Sequence, residues 1–156
     1  MFLFILIIKE TFASKFFLFV LIMLIPNVIF ALTNKDGFEN NWNNKVVEIL
    51  EQVGRFGSMI FMFIVIPEIS FPSNEAFALY IIVNMILLLL YCLFWIILFK
   101  KNNLIRAVLL SVIPAVLFLF SGIISTNIPL IISAVIFAPC HILISVKNVT
   151  ERDRQK

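Results

Sequence analysis

The sequence predicts an all-α membrane protein: a bundle of five transmembrane helices with a cytoplasmic amphipathic helix before the second span. Three observations predict it. Hydrophobic residues make up 62% of the chain and charged residues only 13%, with a mean hydropathy of +1.10, against about 45–50% and 25% in soluble domains. The apolar residues fall into five runs separated by short polar stretches. The basic residues gather at the ends of those runs, where they mark topology. No small core buries so much apolar surface from water, whereas lipid leaves it in place. These features give one integral membrane domain with no separate soluble module.

The spans are expected at 12–32, 54–71, 77–99, 104–124 and 128–146, because a crossing needs about 20 mostly apolar residues. The second is the weakest and borrows residues from the segment before it. Residues 1–8, MFLFILII, are too short to span; they lie at the interface or extend the first helix. A signal peptide ending at Ala31 is the alternative for residues 1–31, but the apolar start precedes Lys9, so no clean basic leader exists.

Residues 33–53 form the only sizeable polar segment. Asp36-Gly37 signals a turn. From Asn43 the pattern is helical, with Val46, Val47, Leu50 and Val53 on one face and Glu48, Glu51, Gln52 and Arg55 on the other. Glu51 and Arg55 stand i,i+4 in the favourable order. Trp42 and Phe38 suit the headgroup level. The expectation is an interfacial helix feeding the second span, whose polar face also offers a recognition surface.

Charge sets the orientation. With five spans, 33–55, 100–106 and 147–156 share one side and hold most of the basic residues, from Lys35 to Lys156. The other side holds only Lys9 and Lys15, while Glu68 and Glu75 mark an acidic loop there. The N-terminus is therefore expected outside and the C-terminus in the cytoplasm. The net charge of +3 is small and read as topology, so nucleic acid is not an expected partner. The partners expected are the lipid bilayer and a membrane protein or second copy of the chain. No cofactor is called for.

Polar residues at membrane depth usually face protein or a water-filled cavity. They are Asn84, Cys92, Ser111, Ser133, Cys140 and His141. Cys92 and Cys140 both lie roughly 10 Å from the cytoplasmic end, and become neighbours if the third and fifth spans pack together. Cys140 and His141 point about 100° apart on a helix, and no local thiol motif exists, so the cysteines read as small hydrophobes. A lone histidine builds no metal site; it serves as a haem ligand or proton relay, or simply bonds a facing Ser, Asn or carbonyl. Pro114 and Pro139 predict mid-span kinks. Ala107, Ser111 and Ala115, and likewise Ala134 and Ala138, form small-residue rows that let helix backbones approach.

The stretches NKDGFEN (34–40), EQVGRFG (51–57) and IFAPCHIL (136–143) resemble a family of small, uncharacterised polytopic membrane proteins of low-GC Gram-positive bacteria. The likeness runs from about Ile25 to Asn148. It implies a bacterial inner-membrane protein and brings no activity with it.

Three functions fit. The first is a non-enzymatic membrane subunit or accessory protein, suggested by the lack of a catalytic constellation and recognisable if the small-residue rows face outward. The second is a small transporter or channel, which requires Asn84, Ser111 and His141 to converge on one cavity. The third is a membrane enzyme acting on a lipid or isoprenoid, which requires Glu51, Arg55 and His141 to meet from the cytoplasmic side. The candidate functional residues are thus His141, Cys140, Asn84, Glu51 and Arg55, with no catalytic residue and no metal ligand assigned.

Overall fold

A computed structural model describes the backbone of residues 2–33, 41–63, 71–101 and 103–155, with side chains in the first helix from Leu18 onward. The Asp36-Gly37 turn, Phe38, Glu68 and the 64–70 end of the expected second span lie outside the described residues. The described residues form five α-helices and no strand: α1 Phe2–Thr33, α2 Lys45–Phe63, α3 Asn74–Leu98, α4 Leu104–Ile124 and α5 Ile128–Arg154. The apolar start is continuous with the first helix, since α1 begins at Phe2.

Among the described residues three of the five helices are long and apolar enough to cross a membrane: α3, α4 and α5. The five expected helices are present, and the other two fall short of this measure for two physical reasons. α2 carries Lys45, Glu48, Glu51 and Arg55 in its 19 residues, which breaks any long apolar window. In α1 the apolar stretch described with side chains, Leu18–Thr33, is short of a full crossing.

Side chains start the helices. Asn44, Ser73, Asn103 and Asn127 each accept a backbone N–H from the first turn of α2, α3, α4 and α5 respectively, at 3.3, 3.2, 3.0 and 3.1 Å, which satisfies donors the helix leaves open. Pro129 enters the first turn of α5, where its missing N–H is harmless. Between α4 and α5 the chain reverses in three residues. Thr126 takes a positive φ of 51° there, and Asn127 Nδ2 reaches across to donate to the Phe61 carbonyl of α2 at 3.0 Å.

The helices close a ring. α1 packs on α2, α2 on α5, α5 on α4, α4 on α3, and α3 back on α1. The α2–α5 and α4–α5 joints are the most extensive and those of α1 the thinnest. Within the ring α4 lies between α3 and α5, so Cys92 and Cys140 are on helices that pack chiefly on others, and both thiols are free.

The bundle is polar inside and apolar outside. Glu51, Ser58, Asn84, Arg106, Ser111, Ser121, Asn127 and Ser133 are buried, while Ile82, Leu89, Ile96, Ile128, Val135 and many like them are exposed. Asn84, fully buried, accepts from Ser121 Oγ at 3.0 Å and donates to the Tyr80 carbonyl at 2.9 Å. Lipid explains the inversion, because it solvates apolar side chains and offers polar groups no partner.

α2 shows this most clearly. Val46, Ile49, Val53, Phe56 and Ile60 face outward, and Glu51, Gly54, Ser58 and Met62 face the bundle. Of the polar face expected to meet the cytoplasm, Glu51 is directed at α5, Glu48 and Arg55 are half-buried and Gln52 is exposed. The small-residue rows also turn inward: Ser111, Ala115 and Ala134 are buried.

Glycines set the α2–α5 spacing. A Cβ on Gly54 would stand 2.6 Å from the Phe137 backbone nitrogen, and one on Gly57 would stand 2.6 Å from Ser133 Oγ. The first obstacle is backbone and cannot rotate away. Gly54→Ala is therefore expected to destabilise the fold by about 1–3 kcal/mol through overpacking, read as a lower unfolding temperature in detergent, whereas Val53→Ala on the outward face should leave it nearly unchanged.

Candidate functional site

The close α2–α5 approach brings Glu51 against His141. A carboxylate only accepts, so His141 Nδ1 carries the hydrogen and donates to Glu51 Oε1 at 2.8 Å. Arg55 Nε donates to the same oxygen at 2.9 Å, and its terminal nitrogen bonds it too. Glu51 is buried while Arg55 remains partly exposed, so the guanidinium end nearer solvent adds less than the buried end. The ring of His141 stacks on Phe137, with centroids 4.6 Å apart, and Phe137 meets Phe118 of α4 edge-on at 5.7 Å. The imidazole is thus fixed by a charge on one nitrogen and an aromatic face beneath it. Its Nε2 is left to act as an acceptor or, when protonated, as a donor.

Arg55 and His141 line a cavity of about 410 Å³ at the centre of the ring. All five helices contribute to it, including Asn27 of α1, Tyr91 and Trp95 of α3, Arg106 and Ser111 of α4, and Ser145 of α5. The C-terminal parts of α1, α3 and α5, the N-terminal part of α4 and the middle of α2 at Arg55 and Met59 line it, so the cavity lies toward the side of the bundle that carries Lys100, Lys101 and Lys147. Val28 and Ala31 line the cavity and are also exposed, which opens it at the thin edge of α1. Most of the remaining wall is apolar. Clefts of this size and polarity suit a small organic ligand.

The residues expected from sequence divide. Glu51, Arg55 and His141 come together. Ser111 joins the same cavity, its hydroxyl donating to the Val108 carbonyl at 3.1 Å. Asn84 does not line it; its amide stitches α3 to α4. Cys140, half-buried, is not on the cavity wall. Among the described residues no cluster of three His, Cys, Asp or Glu side chains is placed to hold a metal ion.

Arg106 was missed. In the sequence it follows Lys100 and Lys101 and reads as part of a topology signal. In the fold its guanidinium lies over the rings of Phe30, 4.0 Å from the centroid, and Trp95, at 5.3 Å. The signal that distinguishes it is position: it is the third residue of α4, one turn before the small Ser111 face, so helical periodicity turns it inward. Asn27 was also passed over; its Nδ2 donates to the Met23 carbonyl at 3.0 Å and to Tyr91 Oη at 2.8 Å.

The chain matches no protein-family model, and no curated protein or solved structure is significantly similar to it.

The imidazole orientation is directly measurable. ¹⁵N NMR of histidine-labelled protein is expected to show His141 protonated at Nδ1. Glu51→Leu removes the acceptor and should return the ring to the commoner Nε2–H form, with a loss of about 1–3 kcal/mol in stability from the uncompensated donors.

Proposed function

We propose that the protein is a five-span integral membrane protein that receives a lipid-like amphiphile in its central cavity and holds it against His141. The observation that carries this reading is that Glu51, behind the wall, holds Arg55 and His141 together, from two helices, on the wall of one mostly apolar cavity. A ring nitrogen oriented by a carboxylate is the arrangement acid–base chemistry uses, which favours a membrane enzyme acting on a lipid or isoprenoid. The outward row of small residues that would serve a subunit contact is absent among the described residues, because Ser111, Ala115 and Ala134 turn inward. The transporter reading loses Asn84, which serves a helix–helix bond instead.

The orientation belongs to the same proposal. α1 and α2 complete the ring with alternating direction, so five crossings place the basic flanks on one side. That side is the cytoplasm, with the N-terminus outside and the membrane that of a low-GC Gram-positive bacterium, as the resemblance implies. Of the three stretches that carry it, 51–57 and 136–143 are the two that meet across the α2–α5 seam.

Two measurements test this. Native mass spectrometry of gently extracted protein is expected to show one retained lipid-sized ligand per chain, lost in Met59→Trp, which fills the cavity from α2; protein that retains a stoichiometric partner chain and no ligand would sink the reading. Alkaline phosphatase fused after residue 73 should be active and green fluorescent protein fused at the C-terminus should fluoresce; the opposite pair of results reverses the orientation.

A further inference from the structure

The cavity wall carries a charge that no ion pair among the described residues balances. Arg106 is 8% exposed and lines the cavity. Its NH1 donates to the Lys101 carbonyl at 3.1 Å, and its face is stacked on Phe30 and Trp95. The carboxylates in described ion pairs are engaged elsewhere: Glu51 with Arg55 and His141, Glu151 with Arg154, Asp153 with Arg152. The positive charge of Arg152 opposes Arg106 further. Burying an ion is expensive unless an opposite charge meets it. Stacking on aromatic rings recovers only part of that.

The surrounding groups point the same way. Among the described residues no Asp or Glu lines the cavity. Trp95 Nε1 is buried close to Tyr91 Oη, outside good hydrogen-bonding geometry. Tyr91 Oη accepts from Asn27, which leaves its own hydrogen to donate. Arg55 is the second cation on the wall, already neutralised by Glu51. The wall is rich in donors, poor in anions and net positive at Arg106. Arg106 also lies in the first turn of α4, beside Lys100 and Lys101, where an embedded bundle meets the headgroup layer.

We propose that the cavity binds a phosphate-bearing amphiphile, its head held by Arg106 with Trp95 and Tyr91 and its tail laid along Met23, Leu24, Met59 and Phe118. This rests on the reading of the cavity as a ligand site. A phosphate offers several oxygens around one centre to donors arriving from two helices, and guanidinium recognises it with paired hydrogen bonds. The cavity holds the head and the start of a chain; the rest leaves past Val28 and Ala31 into lipid.

The test uses the full chain in neutral detergent, with hexadecyl phosphate, hexadecanol and inorganic phosphate as probes, compared by native mass spectrometry. Hexadecyl phosphate is expected to bind at least about tenfold tighter than hexadecanol, and inorganic phosphate to compete weakly. Arg106→Gln should bring hexadecyl phosphate down to the level of the alcohol, and Arg106→Lys should recover part of the difference. Equal affinity for phosphate and alcohol overturns the assignment of the head and leaves the ligand cavity standing. Inorganic phosphate binding as tightly as hexadecyl phosphate overturns the amphiphile. A preference that survives Arg106→Gln overturns the role of Arg106. Binding of neither long-chain probe overturns both this inference and the cavity reading beneath it. The wild-type comparison decides the matter even if a variant fails to fold.

Discussion

The contact between α2 and α5 governs the molecule. Gly54 has no side chain, so the Phe137 backbone comes within the space a Cβ would need. At that separation the Glu51 carboxylate reaches Nδ1 of His141 directly. A wider gap would leave a buried carboxylate with Arg55 alone and an imidazole without its orienting charge. The same approach aligns the Phe137 ring under His141 and against Phe118, which ties the seam to α4. One absent methyl group thus fixes a helix spacing, an ion pair and the orientation of a titratable ring. The bond from Asn127 to the Phe61 carbonyl holds the other end of the same helix pair. The seam is pinned at both ends, and the cavity lies beside its charged half.

The polarity of the surroundings makes that contact consequential. In water a helix like α2 would turn Val46, Ile49, Val53 and Phe56 toward a core and expose Glu51. Here the reverse holds, since those residues face outward and Glu51 is buried. The arrangement is stable only where the outer solvent is apolar. Lipid removes the hydrophobic drive between helices and leaves close packing and internal hydrogen bonds to hold them. Gly54 and Gly57 supply the first. The Asn84–Ser121, Asn127–Phe61 and Glu51–His141 bonds supply the second, each joining two different helices.

Much of this is legible in the sequence, and the gaps have physical causes. The apolar runs at 104–124 and 128–146 begin where α4 and α5 begin, because Asn103 and Asn127 cap them and lipid-facing helices need uninterrupted apolarity. The grouping of Val46, Val47, Leu50 and Val53 opposite Glu51 and Arg55 follows from periodicity alone. The direction of each face does not, since periodicity identifies two faces and leaves open which one meets solvent. His141 reads as a lone residue because its partner is 90 positions away; only the ring closure brings the two together. Asn84 looks functional for the opposite reason. A polar residue in an apolar run is conspicuous whether it binds a ligand or a neighbouring helix.

Arg106 shows where composition misleads most. Counted with its neighbours it is one more positive residue at a span end, and that count carries the topology. Lys100 and Lys101, exposed at the helix boundary, satisfy the same rule without entering the bundle. Arg106 is different because the cap at Asn103 starts the helix three residues earlier, so the guanidinium points along the inner face toward Phe30 and Trp95. Snorkelling outward would have kept it hydrated at little cost. Two aromatic rings and a backbone carbonyl hold it inward instead, over a cavity that no carboxylate of the described residues lines. A bundle of this size uses only two buried charged residues, Glu51 and Arg106, among its described residues. The first is compensated within the protein by Arg55 and His141. The second faces a cavity with room for a counter-charge from outside the protein.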